Sequence, residues 1–163
     1  MSYAMPTERP PRQKKRPAKP VIGWREWVAL PDLGVSSIKA KIDTGARSSS
    51  LHAFDIERYR ENGLEMVRFT IHPRQRRRLS TPSVAAPLHA EKMVRNPGGR
   101  EELRPVIRTI IVWNDIAFEA DLNLTRRDEM GFRMLLGRQA IRRRFLVDPG
   151  RSFLGKDPEE ETP

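Results

Sequence analysis

Residues 38–53 read IKAKIDTGARSSSLHA, and the fold turns on what Asp43 does there. Ile38, Ala40 and Ile42 alternate with Lys39, Lys41 and Asp43, the period of two expected of a strand with one buried face. Asp43 then ends the strand, and Thr44-Gly45 follow as a tight loop. The threonine hydroxyl can bond backbone groups locally, and glycine lets a second backbone approach closely. Such a loop suits a positioned acid. It equally suits an ordinary Asx-type turn, and the tripeptide alone does not separate the two.

The same period runs outward from this strand. GWREWVALPDLG (23–34) predicts a short strand ending in a turn, and LEMVRFTIHP (64–73) a strand stopped by Pro73. RPVIRTIIVWNDIAFEADLNL (104–124) divides into two β-rich runs around Asn114-Asp115, a tight hairpin turn. In MVRNPGGREEL (93–103), Asn96-Pro97-Gly98-Gly99 forces a reversal, so a protruding hairpin is expected. LLGRQAIRRRF (135–145) predicts the one helix, with Ile141 and Phe145 four apart. FLVD and RSFLG, either side of Asp148-Pro149-Gly150, read as a closing hairpin. The expected class is mainly β with one short C-terminal helix.

Composition bounds the rest. A chain of 163 residues can bury one ordinary core. Residues 1–20 carry five prolines and six basic residues against one acid, and read as a disordered basic arm. Residues 156–163, KDPEEETP, read as an acidic disordered tail. The folded domain is expected over 21–155. The chain has a formal charge of +10; removing the +5 arm and the −3 tail leaves a domain of +8. Such a surface attracts polyanions. With no cysteine, disulfides, thiolate catalysis and cysteine-ligated zinc are excluded. No apolar run approaches a membrane span and no apolar leader is seen, so a soluble cytoplasmic protein is expected.

The order of these parts carries a resemblance. KIDTGARSS, then a glycine-containing hairpin, then TIIVWNDIAFEADLNL, then FRMLLGRQAI resembles the retropepsin-type aspartic proteases. In those, a strand ends in Asp-Thr-Gly-Ala, a flap hairpin follows, and a Gly-Arg segment opens a helix beside the catalytic loop. More narrowly, IDTGARSSSLHA, RPVIRT, LNLTRRDEMGFRMLLGRQAI and FLVDP resemble the bacterial family named ATP-dependent zinc proteases. That family has a retropepsin-like fold and gene association with ATP-grasp enzymes that ligate glutamate, including one that extends a ribosomal protein. The resemblance implies a closed β-barrel and an aspartic peptidase or amide hydrolase, with glutamate-extended protein tails as a substrate class. A non-catalytic module partnering a glutamate ligase is the alternative.

Aspartic protease chemistry needs two carboxylates around one water, one acting as base and the other donating to the substrate carbonyl. This chain holds one Asp-Thr-Gly. The resemblance therefore implies that Asp43 of a second copy supplies the other carboxylate, and a homodimer is expected if the protein is catalytic. It assigns the catalytic loop to Asp43, Thr44 and Gly45, with Thr44 locking it. Substrate contacts would come from Ala46, Arg47 and Arg138, and from Asn96, Gly98 and Gly99 of the flap. Many retropepsins carry an acid where Arg47 stands, paired with the arginine of the Gly-Arg segment. Here that pair becomes two cations, Arg47 and Arg138, so either a nearby acid such as Asp128 or Glu129 separates them or the site receives an acidic substrate.

The words zinc and ATP in the family name find no motif. No Gly-rich loop ends in Lys-Ser or Lys-Thr, and His52, His72 and His89 lack the His-Glu-x-x-His spacing, so no metal and no cofactor are expected. The runs RQRRR (74–78), TRR (125–127) and IRRR (141–144) give a third reading, docking on the ribosome or other RNA through phosphate contacts. Aromatics that would stack bases are few.

Overall fold

The computed structural model describes residues 3, 11, 17–73, 83–95, 98–126 and 131–159. The expectations placed on Asn96, on RQRRR, on Asp128 and Glu129, and on most of the N-terminal arm lie outside them. Twelve strands and one helix follow in order: β1 (Val21–Gly23), β2 (Arg25–Leu30), β3 (Val35–Asp43), β4 (Ser49–His52), β5 (Phe54–Glu61), β6 (Leu64–Thr70), β7 (Val84–Pro87), β8 (Ala90–Arg95), β9 (Glu101–Trp113), β10 (Ile116–Thr125), β11 (Met134–Gly137), α1 (Arg138–Ile141) and β12 (Leu146–Asp148).

Strands β10, β4, β11, β3, β2 and β9 lie side by side, and β9 pairs again with β10. The sheet thus closes into a six-stranded barrel, with β8 added outside β9. Alternation drives it: Ile38, Ala40 and Ile42 of β3 are all buried, while Lys39, Lys41 and Asp43 are partly exposed. Val28, Leu30, Leu51, Ile107, Ile111, Leu122, Leu124 and Leu136 complete the interior. Each such side chain contributes about 1.5–3 kcal/mol on burial, more than an exposed ion pair supplies. The mainly β class with one short C-terminal helix is the class expected.

Two pairings place the acid. β11 runs parallel to β3 with Gly137 opposite Asp43, and β4 runs parallel to β10 with Ser49 opposite Leu122. Residues ninety-four apart in sequence are thereby brought side by side. At the β9–β10 turn Asn114 and Asp115 both adopt positive φ, 47° and 66°, the geometry of the tight hairpin expected there. The β8–β9 hairpin pairs Met93 with Leu103 and Arg95 with Glu101, and both apolar residues stand exposed.

Two expectations are corrected, and one sheet was not foreseen. α1 spans only Arg138–Ile141, because Arg142 leaves helical geometry and Arg143 takes φ 70°. The amide of Phe145 still donates to the carbonyl of Ile141 at 3.1 Å, and both side chains are buried. FLVD and RSFLG form no closing hairpin: β12 pairs in parallel with β1. Residues 151–155 instead return to β2, with Phe153 N donating to the carbonyl of Arg25 at 3.0 Å and its ring stacked on Trp27 at 5.7 Å. A third sheet, β5-β6-β7, flanks the barrel, and of its strands only β6 was expected. Beyond residue 155 the described chain continues, Ser37 donating to Asp157 at 2.9 Å and Ser36 to Glu159 at 2.8 Å.

Candidate functional site

Asp43 is the last residue of β3 and is partly exposed. Its Oδ1 accepts the amides of Gly45 at 3.0 Å and Ala46 at 3.2 Å, an Asx-type turn that aims the carboxylate. Among the described residues its Oδ2 receives no hydrogen bond. One oxygen is therefore fixed and the other open to water or a second group, the division of labour a positioned acid requires.

The loop is clamped from α1. The Arg138 guanidinium donates to the carbonyls of Thr44 at 3.0 Å and Gly45 at 3.4 Å. Backbone bonds run beside it, from Arg138 N to Ala46 O at 2.7 Å and from Gln139 N to Arg47 O at 3.1 Å. Gly137 is required for this approach: a Cβ there would overlap the carbonyl oxygen of Ser48 and lie 2.9 Å from that of Ala46. Its amide donates to Ser49 Oγ at 3.0 Å. Thr44 is exposed, and among the described residues its hydroxyl makes no hydrogen bond, so this loop is held through carbonyls and the Asp43 carboxylate. At Gly45 the nearest atom to an added Cβ is Asp43 Oδ1 at 3.3 Å.

Arg47 and Arg138 divide rather than pair. Arg138 is turned onto its own loop, whereas the exposed Arg47 side chain has no ion pair or hydrogen bond among the described residues. Among the described residues neither forms an ion pair with an acid. A cavity of about 210 Å³ opens beneath β8 and β9, lined by Ser48, Ser49, Glu91, Lys92, Asn123 and Gln139 among others. A larger cleft of about 420 Å³ shares Ser49, Asp121 and Gln139 with it and reaches Arg142 and Arg144. Asp43 lines neither, and is partly exposed. Gly98 and Gly99 close the described part of the hairpin, Gly99 at φ 81°.

Sequence reasoning missed a polar network linking the hairpin to this loop. Buried Arg104 of β9 donates from Nη1 to Asn123 Oδ1 at 3.1 Å; Asn123 Nδ2 donates to the carbonyl of Ser49 at 2.8 Å, and Ser50 Oγ donates to Asn123 Oδ1 at 2.9 Å. It also missed Glu26, fully buried, whose oxygens accept Gly23 N, Trp113 Nε1, Leu154 N and Gly155 N at 2.7–3.0 Å. The available signal was a charged residue in the apolar phase of a strand. The three histidines fall apart: His52 and His72 each meet Phe54 edge-on at 4.6 Å, and His89 lies 3.9 Å from Asp121. Among the described residues no group of three His, Asp or Glu is arranged to hold a metal, and no helix is long and apolar enough to cross a membrane.

Comparisons with known proteins agree with this geometry. The model of the RimB-like family, described as retropepsin-like aspartic endopeptidase RimB, matches residues 21–158. A protein of Desulfotalea psychrophila named probable alpha-L-glutamate ligase is 41% identical over 132 residues, covering 81% of this chain and 28% of that one. One of the same name from Shewanella pealeana is 42% identical over 133 residues, covering 82% and 29%. The chain thus spans less than a third of these curated relatives. The solved structure of Lpg0085 from Legionella pneumophila, a protein of unknown function, superposes with a TM-score of 0.70 at 31% identity, covering 84% of this chain and 98% of that one. With the barrel, the clamped Asp-Thr-Gly loop and a family match over most of its length, the chain belongs to the RimB-like family of retropepsin-like proteins.

Proposed function

We propose that the protein is an aspartic-type peptidase or amide hydrolase acting on glutamate-extended protein tails, in partnership with an ATP-grasp glutamate ligase. The observation that carries this reading is the Asp43 carboxylate, fixed through Oδ1 by two amides and open at Oδ2. One partly exposed carboxylate is half of an aspartic site. The second comes from Asp43 of another copy, so that two carboxylates flank one water. One of them takes the proton of the attacking water while the other donates to the scissile carbonyl. Arg47, four residues from Asp43 and without a partner among the described residues, supplies the cation for a substrate carboxylate. Arg138 is committed to the loop, so it acts by positioning. The glutamate-ligase names of the relatives favour the same substrate class.

Those names also favour a second reading, a binding module that regulates the ligase without hydrolysis. Hydrolysis of a peptide ending in six glutamates by the wild-type protein and by Asp43→Asn separates the two. On the peptidase reading the substitution abolishes turnover while solution mass and melting temperature stay unchanged, because the amide cannot accept the water's proton. Turnover surviving in the variant removes Asp43 from the chemistry, and no turnover by either protein leaves the module reading.

A further inference from the structure

The base of the β8–β9 hairpin, Ala90 to Lys92 and Val106, forms one wall of the 210 Å³ cavity, with Ser48 and Ser49 beyond the Asp43 loop on another. Glu91 is gripped from a different sheet. Arg58 of β5 donates from Nε to Glu91 Oε1 at 2.7 Å and from Nη2 to Oε2 at 3.1 Å. The same Nη2 donates to the carbonyl of Leu103 on β9, at 3.2 Å. One guanidinium thus holds both strands of the hairpin at once.

Its position in the sheet is unusual. Arg58 stands opposite Val67, and Val67 opposite Ala86, across β5-β6-β7. Residues directly opposite one another share a face, and Val67 and Ala86 are buried. Arg58 therefore shares the face of Val67 and Ala86 at its exposed margin, a place that an aliphatic side chain could fill. Its charge is delivered to the hairpin instead. Arg60–Glu65 supplies a contrast: that ion pair is more exposed, lies within the β5–β6 pair, and touches neither β8 nor β9.

We propose that Arg58 is a positioning residue that sets the height of the β8–β9 hairpin over the 210 Å³ cavity next to the Asp43 loop, using the β5-β6-β7 sheet as an abutment. The role given to the hairpin rests on the peptidase reading, whereas the grip on its two strands does not. A bidentate guanidinium–carboxylate pair fixes angle as well as distance, and the third bond, to a backbone carbonyl, ties β9 to the same guanidinium. Solvent exposure limits the grip to a few-fold effect, suited to a segment that must move during turnover.

The test uses the full chain carrying Arg58→Met, Glu91→Gln, the exchanged pair Arg58→Glu/Glu91→Arg, and Arg60→Met as control. Amide hydrogen exchange over 90–95 and 101–104 should quicken about two- to fivefold in the first two variants. It should return toward the wild-type rate in the exchanged pair and be unchanged in the control. Affinity for a hexaglutamate peptide, measured in the Asp43→Asn background, should fall by a similar factor in the same two variants. Unchanged exchange in both Arg58→Met and Glu91→Gln overturns the proposal, as does equal quickening in Arg60→Met. Altered exchange without any peptide binding, in these or the parent protein, refutes the substrate assigned here and leaves the grip standing.

Discussion

Replacing Arg138 by methionine keeps an unbranched stem close to that of the arginine and removes the guanidinium with its two bonds to the Asp-Thr-Gly loop. Those bonds, at 3.0 and 3.4 Å, join an exposed guanidinium to exposed carbonyls, and water replaces them at little net loss. Together they contribute about 1 kcal/mol, which for a domain of this size lowers the melting temperature by roughly 2–4 °C. The backbone bonds from Arg138 and Gln139 to Ala46 and Arg47 do not depend on the side chain, so the loop stays docked on that side. What is lost is the fixing of Thr44 and Gly45, the residues between the acid and its docked continuation. A displacement of reacting groups by about 1 Å costs on the order of a hundredfold in rate. Glutamate-tailed peptide hydrolysis should therefore fall about 10- to 100-fold while thermal melts change little, and Arg138→Lys, which reaches one carbonyl, should fall between. Activity that drops only with the folded fraction would show that Arg138 serves the fold and not the acid.

Two further outcomes follow from buried and paired carboxylates. Glu26→Gln leaves two buried amide or indole donors facing an amide nitrogen, a loss on the order of 4 kcal/mol in urea unfolding, with residues 151–155 released first; a loss under about 1 kcal/mol contradicts the four-donor account. Arg58 holds the Glu91 carboxyl below its ordinary range, and Arg108 does the same for Asp121. A depressed carboxylate contributes stability that is present above its unfolded pKa and lost as pH falls through its folded one. The melting temperature should hold down to about pH 5 and decline below it. The decline should be shallower in Glu91→Gln, and a slope unchanged in that variant refutes the assignment.

Much of the barrel was legible because period-two alternation is a local signal: Ile38, Ala40 and Ile42 announce β3, and Asn114-Asp115 announces the hairpin turn. The junction of Asp43 with Gly137 was foreshadowed by the resemblance alone, since nothing local specifies that β11 runs parallel to β3. The hairpin expected at Asp148-Pro149-Gly150 failed for a similar reason. The turn chemistry was present, but long-range pairing of β12 with β1, and the Glu26 anchor for residues 154 and 155, outweighed it. Strand β5 went unread because Arg58, Arg60 and two glutamates obscure its alternation. Glu26 carries the lesson: a charge in the apolar phase of a strand, in step with Val28 and Leu30, marks a long-range tie rather than an absent strand.

The most direct test of a shared site is to titrate Asp43→Asn protein into a fixed amount of wild type, allow subunits to exchange, and measure glutamate-tailed peptide hydrolysis. If each active site needs Asp43 from two copies, mixed pairs are inactive, and activity per wild-type subunit falls in proportion to the wild-type fraction, reaching about a quarter at three parts variant to one. Activity per wild-type subunit that stays constant throughout the titration would contradict the shared-aspartate account.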